Sequence, residues 1–583
     1  MLISHVRCMR QAGGTSVSLG KVRQAQIIST YGPGSLIPVG EESFMVAGTD
    51  FWFGMGEPNP EEIFHEARLE KHLGVQRFVR PPSSEEDGAK DVPLIRFPKW
   101  YSCLSCSRLN TFVRSADADG LCATCGGKLA PSRFISICDS GHASDFPYSR
   151  WVHQGDEGPG EHALFLKNEG KSAGLSDIVV SCRCGRSRNL QGALGKNALK
   201  TISKCFGDRA WLPTPNAEEC DKTPRGTQRG ASGVWQASTA SSISIPPWSG
   251  EANRFVDRYW GVLGVIPEAA LRETLEGMIA NHPLPGGVDE ALAAVANRKQ
   301  LQNGLEIEES TMRRQEYDAL RRVTPATENN RDFVCQKPTT SEQIPIEFSQ
   351  LHLISRLREV RALKGFNRLT NSESNEIVEA KLSTAHKNWL PAIEVSGEGL
   401  FIEFEIGRIQ AWESDERVLQ RAQRLSSKLE KNALTAELPA VTPRLLLVHT
   451  FAHALIDQWS LECGYPSSSL RERIYVDDEM AGILIYTATS DSQGSLGGII
   501  GMAKGGRFIK SFTEALQRSS WCSNDPLCIE SGPNGFANAN LGACHACALL
   551  SETSCEMRNL LLDRGMVIGA PDGCPGFFSS QLS

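Results

Sequence analysis

Closely spaced cysteines constrain this chain more than any other feature. The sequence holds 18 of them in 583 residues, most in local clusters. Met1 to Leu19 has no apolar core of signal-peptide length, and no run approaches 18 uninterrupted apolar residues. A cytoplasmic, reducing setting is therefore expected, in which paired cysteines read as metal ligands rather than disulfides.

The strongest pattern is Cys103-x2-Cys106 followed by Cys122-x2-Cys125, the double-knuckle spacing of a zinc ribbon. A CxxC turn aims two thiolates at one ion while its backbone amides soften their charge, and tetrahedral zinc needs a second such pair. Gly126 and Gly127 suit the turn. A looser set, Cys182, Cys184, Cys205 and Cys220, is expected to close a second tetrahedron, with Cys138 and His142 of CDSGH as alternative ligands. Near the C-terminus Cys544-x2-Cys547 is expected to be completed by Cys528 and Cys555, with Cys522 as alternate. The cofactor expected is zinc, as two or three structural ions. A redox CxxC is disfavoured there, because such sites lack further cysteines around them. Cys8, Cys335, Cys463 and Cys574 read as ordinary thiols.

Nucleotide-driven motors need GxxxxGK[ST]. The nearest string, Gly192 to Asn197, has the wrong spacing and lacks the hydroxyl, so no bound nucleotide is expected. SDSQGSLGG at Ser490 to Gly498 resembles a phosphate-binding loop only in composition and reads as a turn. His449 and His453 share a helix face, but HTFAH lacks the glutamate of HExxH. A metal-dependent nuclease using them with Asp477 or Asp478 remains an alternative, and the main expectation is a non-enzyme with no catalytic residues.

The net charge is −7. Between Val92 and Gly230, however, 19 Lys/Arg face 13 Asp/Glu, leaving −13 for the rest. Arg183, Arg186 and Arg188 lie in that basic stretch and are candidate nucleic-acid contacts, against the alternative that they offset thiolate charge. Trp211 and Trp235 are candidate stacking platforms for unpaired bases. Arg313, Arg314, Arg321 and Arg322, mixed with acids, read as a solvated helix face.

The fold class expected is multidomain α+β. Residues 1–92 read as a β-rich segment and linker, with a turn forced at Gly32-Pro33-Gly34. Residues 93–230 form a Cys-rich zinc-binding region. Residues 231–440 read as mostly helical, on spacings such as Leu351, Ile354, Leu357 and Val360, with one strand pair hinged at Gly397-Glu398-Gly399. Residues 441–583 read as a mixed α/β domain with a Cys-rich zinc site.

Several segments in order, RQAQIISTYGPGSLI, VAGTDFW, CDSGHASDFPYSRWVH, LREVRALKGFNRL, HTFAHALI, SDSQGSLGG and WCSNDPLC with GACHACALLSETSC, resemble the DrmB family. DrmB is the helicase-associated subunit of the bacterial anti-phage system DISARM. The resemblance covers landmarks from about Val22 to Cys555. It implies a non-motor subunit that binds a separate helicase, DrmA, and with it engages foreign DNA, single-stranded or with a single-stranded end. Self DNA would be spared through a methyltransferase of the same system. Its C-terminal part resembles the zinc-binding domain that other bacterial helicases carry fused to their motors.

Overall fold

A computed structural model describes residues 3–8, 18–53, 56–83, 91–156, 162–170, 174–214, 216–327, 330–338, 344–368, 378–429, 438–487 and 498–582. The glycine-rich string at Ser490 to Gly498 lies outside them except for its last residue. The chain divides into two compact units, each assembled from separated segments. Unit 1 comprises Met1–Ile63, Val79–Ala240 and Ala362–Ile393; unit 2 comprises Phe64–Phe78, Ser241–Arg361 and Glu394–Ser583.

Unit 1 opens with a five-stranded sheet. Its strands are β1 (Ile3–Cys8), β2 (Ser18–Arg23), β3 (Leu36–Val39), β4 (Glu42–Val46) and β5 (Val92–Arg96), in the order β2-β1-β5-β4-β3. Within the segment read as β-rich, the QIIS run forms helix α1 (Gln24–Ser29), which buries Ile27 and Ile28. The predicted turn forms, and Gly34 takes φ +82° with a Cβ there falling 2.5 Å from the Phe366 ring. No side chain fits that approach.

The Cys-rich region follows as β6 (Trp100–Cys103), β7 (Arg108–Thr111), β8 (Leu129–Pro131), β9 (Phe134–Ile137), β10 (Ala143–Asp145), helix α2 (Tyr148–His153), β11 (Leu164–Asn168), β12 (Ile178–Cys182), β13 (Ser187–Asn189) and β14 (Arg225–Gln228). They make a six-stranded sheet, β8-β6-β7-β11-β12-β13, and a three-stranded one, β10-β9-β14. The apolar core here is small. Phe134, Phe146, Tyr148, Trp151 and Val180 anchor it.

Unit 2 has helices α3 (Glu251–Arg258), α4 (Glu268–Asn281), α5 (Gly287–Asn303) and α6 (Glu309–Leu320). Then come two long strands, β15 (Phe348–Asn367) and β16 (Trp389–Phe404), which contribute their Phe348–Arg361 and Glu394–Phe404 stretches to this unit. Helix α7 (Pro443–Cys463), β17 (Leu470–Val476) and β18 (Ala481–Thr487) follow, in the stretch read as mixed α/β, and then α8 (Arg507–Ser519). Along the sheet the order is β15-β16-β18-β17.

Two expectations are corrected here. Leu351, Ile354, Leu357 and Val360 lie on strand β15, not on a helix. That strand is buried on both faces, so its apolar residues do not alternate and their spacing imitates a helix. Nor is there a hairpin at Gly397-Glu398-Gly399, since β16 runs straight through it. The glycines serve close packing instead. A Cβ on Gly397 would fall 1.8 Å from the Thr487 carbonyl, and one on Gly399 would fall 2.7 Å from that of Ile485, where β18 pairs in register.

Helix α7 is apolar almost all round, as a core helix must be. Pro443 sits in its first turn, the Thr442 hydroxyl accepts the Leu445 amide at 3.1 Å, and Gly464 ends it at φ +67°. Among the described residues no helix is long and apolar enough to cross a membrane.

Candidate metal centres

The four thiols of the double knuckle come together. Cys103 ends β6, and the hairpin to β7 carries Cys106 back beside it. Cys103 Sγ stands 3.4 Å from Cys125 Sγ, and Cys106 Sγ 3.8 Å from Cys122 Sγ. Zn–S bonds of about 2.3 Å place sulfurs about 3.8 Å apart in a tetrahedron, so this set fits zinc. The Cys106 amide points at Cys103 Sγ from 3.4 Å. Burial would raise the Cys122 thiol, but the amides of Thr124 and Cys125 bring it down to about 6. Gly127 packs closely against the first knuckle, since a Cβ would lie 2.4 Å from Ser105 Oγ and 3.1 Å from Cys103 Sγ.

The second expected set is not formed as drawn. Cys205 and Cys220 join Cys138 and His142, whereas Cys182 and Cys184 join His153 and His162. The physical reason is strand placement. Cys182 ends β12 in the six-stranded sheet, while Cys138 follows β9 in the three-stranded one. In the first of these sets Cys138 Sγ lies 3.3 Å from His142 Nδ1, 3.6 Å from Cys205 Sγ and 4.0 Å from Cys220 Sγ. His142 Nε2 contacts the Glu218 carboxylate at 2.7 Å, which leaves Nδ1 to face the sulfurs. The Cys205 thiol, opposed by burial and helped by the imidazole, draws Cys138 down to about 4. Burial works against the His142 imidazole, yet Cys138 and Glu218 push it up to about 9.

In the other set His153 Nε2 is 3.3 Å from Cys184 Sγ, and His162 Nδ1 is 3.4 Å from Cys182 Sγ. His153 Nδ1 bonds the Ser149 carbonyl at 2.7 Å, freeing Nε2 for an ion. Neither histidine was singled out from the sequence. The available signal was the crowding of His142, His153 and His162 just ahead of a C-x-C pair that lacks two ligands.

At the C-terminus the sulfur that joins Cys528, Cys544 and Cys547 is that of Cys522, the alternate, and not Cys555. Cys522 Sγ stands 3.5 Å from Cys544 Sγ, and Cys528 Sγ stands 3.7 Å from Cys547 Sγ. Cys522 follows α8, where the Asp525 carboxylate accepts its amide at 2.9 Å. Arg564 holds that carboxylate in turn at 2.7 Å. Cys555 lies elsewhere, 3.2 Å from His449 Nε2.

A family model described as a domain of unknown function (DUF8724) matches residues 23–236, and one described as the MrfA Zn-binding domain matches residues 451–548. The DISARM protein DrmB of Bacillus paralicheniformis is 31% identical over 554 residues, which cover 91% of this chain and 97% of that protein. The chain belongs to the DrmB family. It is thus a defence protein of the DISARM type, and its Cys/His sets and Zn-binding domain mark it as a zinc-binding one. The Zn-binding match takes in Cys522, Cys528, Cys544 and Cys547 and stops before Cys555.

In this DrmB-family chain the candidate DNA-binding side chains are placed unequally. Arg183 is exposed. Arg186 donates to the carbonyls of His153 and Asp156 at 3.1 and 3.2 Å. Arg188 donates to the Trp151 carbonyl at 3.3 Å and lies 3.6 Å over the Trp151 ring. Both therefore brace the C-terminal end of α2, which carries His153. Trp211 is no stacking platform: it is 1% exposed, and its indole donates to the Lys381 carbonyl. Trp235 is half-buried, stacks on Phe366 and donates to the Pro33 carbonyl. Arg313 and Arg314 are paired with Glu556 and Asp477, and Arg321 with Glu403, so that helix face is not simply solvated.

The nuclease alternative loses its acids. Asp477 turns to Arg314 at 2.6 Å and caps the amides of Glu479 and Met480. Among the described residues neither it nor Asp478 stands with His449 and His453; Glu472 does.

Proposed function

We propose that this chain is a non-motor accessory subunit of a DISARM-type helicase complex, in which zinc-held modules bind the helicase partner DrmA and help engage foreign DNA. Four sets of sulfur-bearing ligands carry the reading: Cys103/Cys106/Cys122/Cys125, Cys138/His142/Cys205/Cys220, His153/His162/Cys182/Cys184 and Cys522/Cys528/Cys544/Cys547. Each is closed by four protein side chains, which is the structural rather than the catalytic form of a zinc site, and zinc would supply rigidity there. Three of them fall in the stretch with the local positive excess, so rigid loops would present Arg183 and its neighbours to phosphates.

Co-expression with the neighbouring helicase and DNA binding across a salt series test this. The pair is expected to co-purify, and log affinity is expected to fall more steeply with log salt for the pair than for the helicase alone. Failure to co-purify, or equal slopes, would count against it. The bonding of Arg186 and Arg188 to backbone carbonyls favours a second reading, a scaffold without DNA contact. Unchanged DNA affinity of the complex after Arg183→Ala would support that scaffold.

A further inference from the structure

His449, His453, Glu472 and Cys555 meet in the interior of unit 2, with all four ligand atoms within 4.8 Å of one another. They are 0%, 1%, 0% and 5% exposed. The histidines stand one turn apart on α7, Glu472 lies on β17, and Cys555 follows the C-terminal cysteine set. Each imidazole is oriented from behind, His449 Nδ1 donating to the Leu561 carbonyl at 3.1 Å and His453 Nδ1 to that of Ala548 at 2.7 Å. That fixes the proton on Nδ1 and turns both Nε2 lone pairs inward.

The atoms that face them are a carboxylate oxygen and a sulfur, both able to serve as metal donors. Glu472 Oε1 stands 3.1 Å from His449 Nε2 and 3.5 Å from His453 Nε2. Cys555 Sγ lies 3.2 Å from His449 Nε2 and accepts the amides of Met557 and Asn559 at 3.3 and 3.2 Å. His453 Nε2 and Glu472 Oε2 make no hydrogen bond although fully buried. Buried polar atoms without partners are costly, and several acceptors converging on one point need a cation between them.

We propose that these four side chains bind a further divalent transition-metal ion, zinc by donor type, distinct from the sulfur-rich sets. Neutral imidazoles with a carboxylate and a thiolate carry −2, so a divalent ion makes the cluster neutral, the least costly state in an apolar interior. Bonds of about 2.0–2.3 Å to N, O and S require edges of about 3.3–3.8 Å, close to those observed. Four protein ligands and no exposure leave no open coordination position. The ion would be structural, tying α7 to β17 and to the segment around Leu561. The inference does not depend on helicase or DNA binding.

Native mass spectrometry of the purified full chain tests it. Cys555→Ala and His453→Gln are each expected to carry one zinc fewer than the wild type. Combining either with Cys544→Ser should remove a second. An unchanged zinc count in the soluble single variants would overturn the proposal. Should they prove insoluble, anomalous scattering at the zinc edge from wild-type crystals decides. A peak among the four side chains supports the site, and peaks confined to the cysteine-rich sets refute it.

Discussion

Arg368 shows how much a single buried residue can hold. It is 1% exposed, and its guanidinium donates to the carbonyls of Gly141 and Gly34 at 2.8 Å and to that of Val234. Three distant segments of unit 1 are thereby fixed by one side chain. Arg368→Leu strands those acceptors, and hydrogen bonds to a charged donor contribute about 1.5–3 kcal/mol each. Denaturant melts are expected to show a loss of more than about 2 kcal/mol. Glu359 offers a pH test. Burial would raise it, but Arg361, backed by Arg471 and Arg473, holds its carboxyl below the ordinary 4.5, at about 2. A depressed folded-state value means stabilisation that is complete above about pH 4.5 and lost as pH falls toward about 2. Glu359→Gln leaves Arg361 buried without its partner, costing about 3–5 kcal/mol near neutrality. The gap between wild type and variant should narrow as pH falls through that window. Neither residue announced itself in the sequence, because nothing local tells a buried arginine or glutamate from a solvated one.

Elements differ in how far their residues betray them. Cys103, Cys106, Cys122 and Cys125 were legible as one site because each half is a local turn and the halves belong to neighbouring strands of one sheet. Cys182 and Cys205 were wrongly grouped because ligand choice there depends on which sheet each strand joins, and no spacing encodes that. The hidden partners, His153 and His162, come from a helix end and a loop. Helix α7 was legible from its continuous apolar run, whereas β15 was not, since burial on both faces removes the alternation that marks a strand. Gly397 carries the same lesson in its backbone. Read as a turn former, it serves instead to let β18 approach. Gly397→Ala would drive a methyl into the Thr487 carbonyl 1.8 Å away, and overpacking of this kind costs about 1–3 kcal/mol or more. A lowered melting temperature with unchanged zinc content is the expected result, and a variant as stable as wild type would contradict the assigned role.

On the scale of the whole molecule, the two units rest on different physics. Unit 2 is built around apolar packing, with α7 and the phenylalanines at 348, 404, 451, 512 and 578 in one cluster. The Cys-rich part of unit 1 has a far smaller apolar core and three ligand sets between Cys103 and Cys220. Apparent binding of a structural zinc ion is worth about 10–16 kcal/mol, comparable to the entire net stability of a domain at about 5–15 kcal/mol. Removing metal should therefore affect the two units unequally. When the full chain is treated with a strong chelator and then with a trace of protease, cleavage is expected first within residues 103–220. The α7, β17 and β18 stretch should persist longer. Cys103→Ser should give a local version of the same result without chelator, with cuts near residues 103–125. Uniform resistance after zinc has demonstrably left would mean that the loops are held by their own packing, and that the cysteines are passengers.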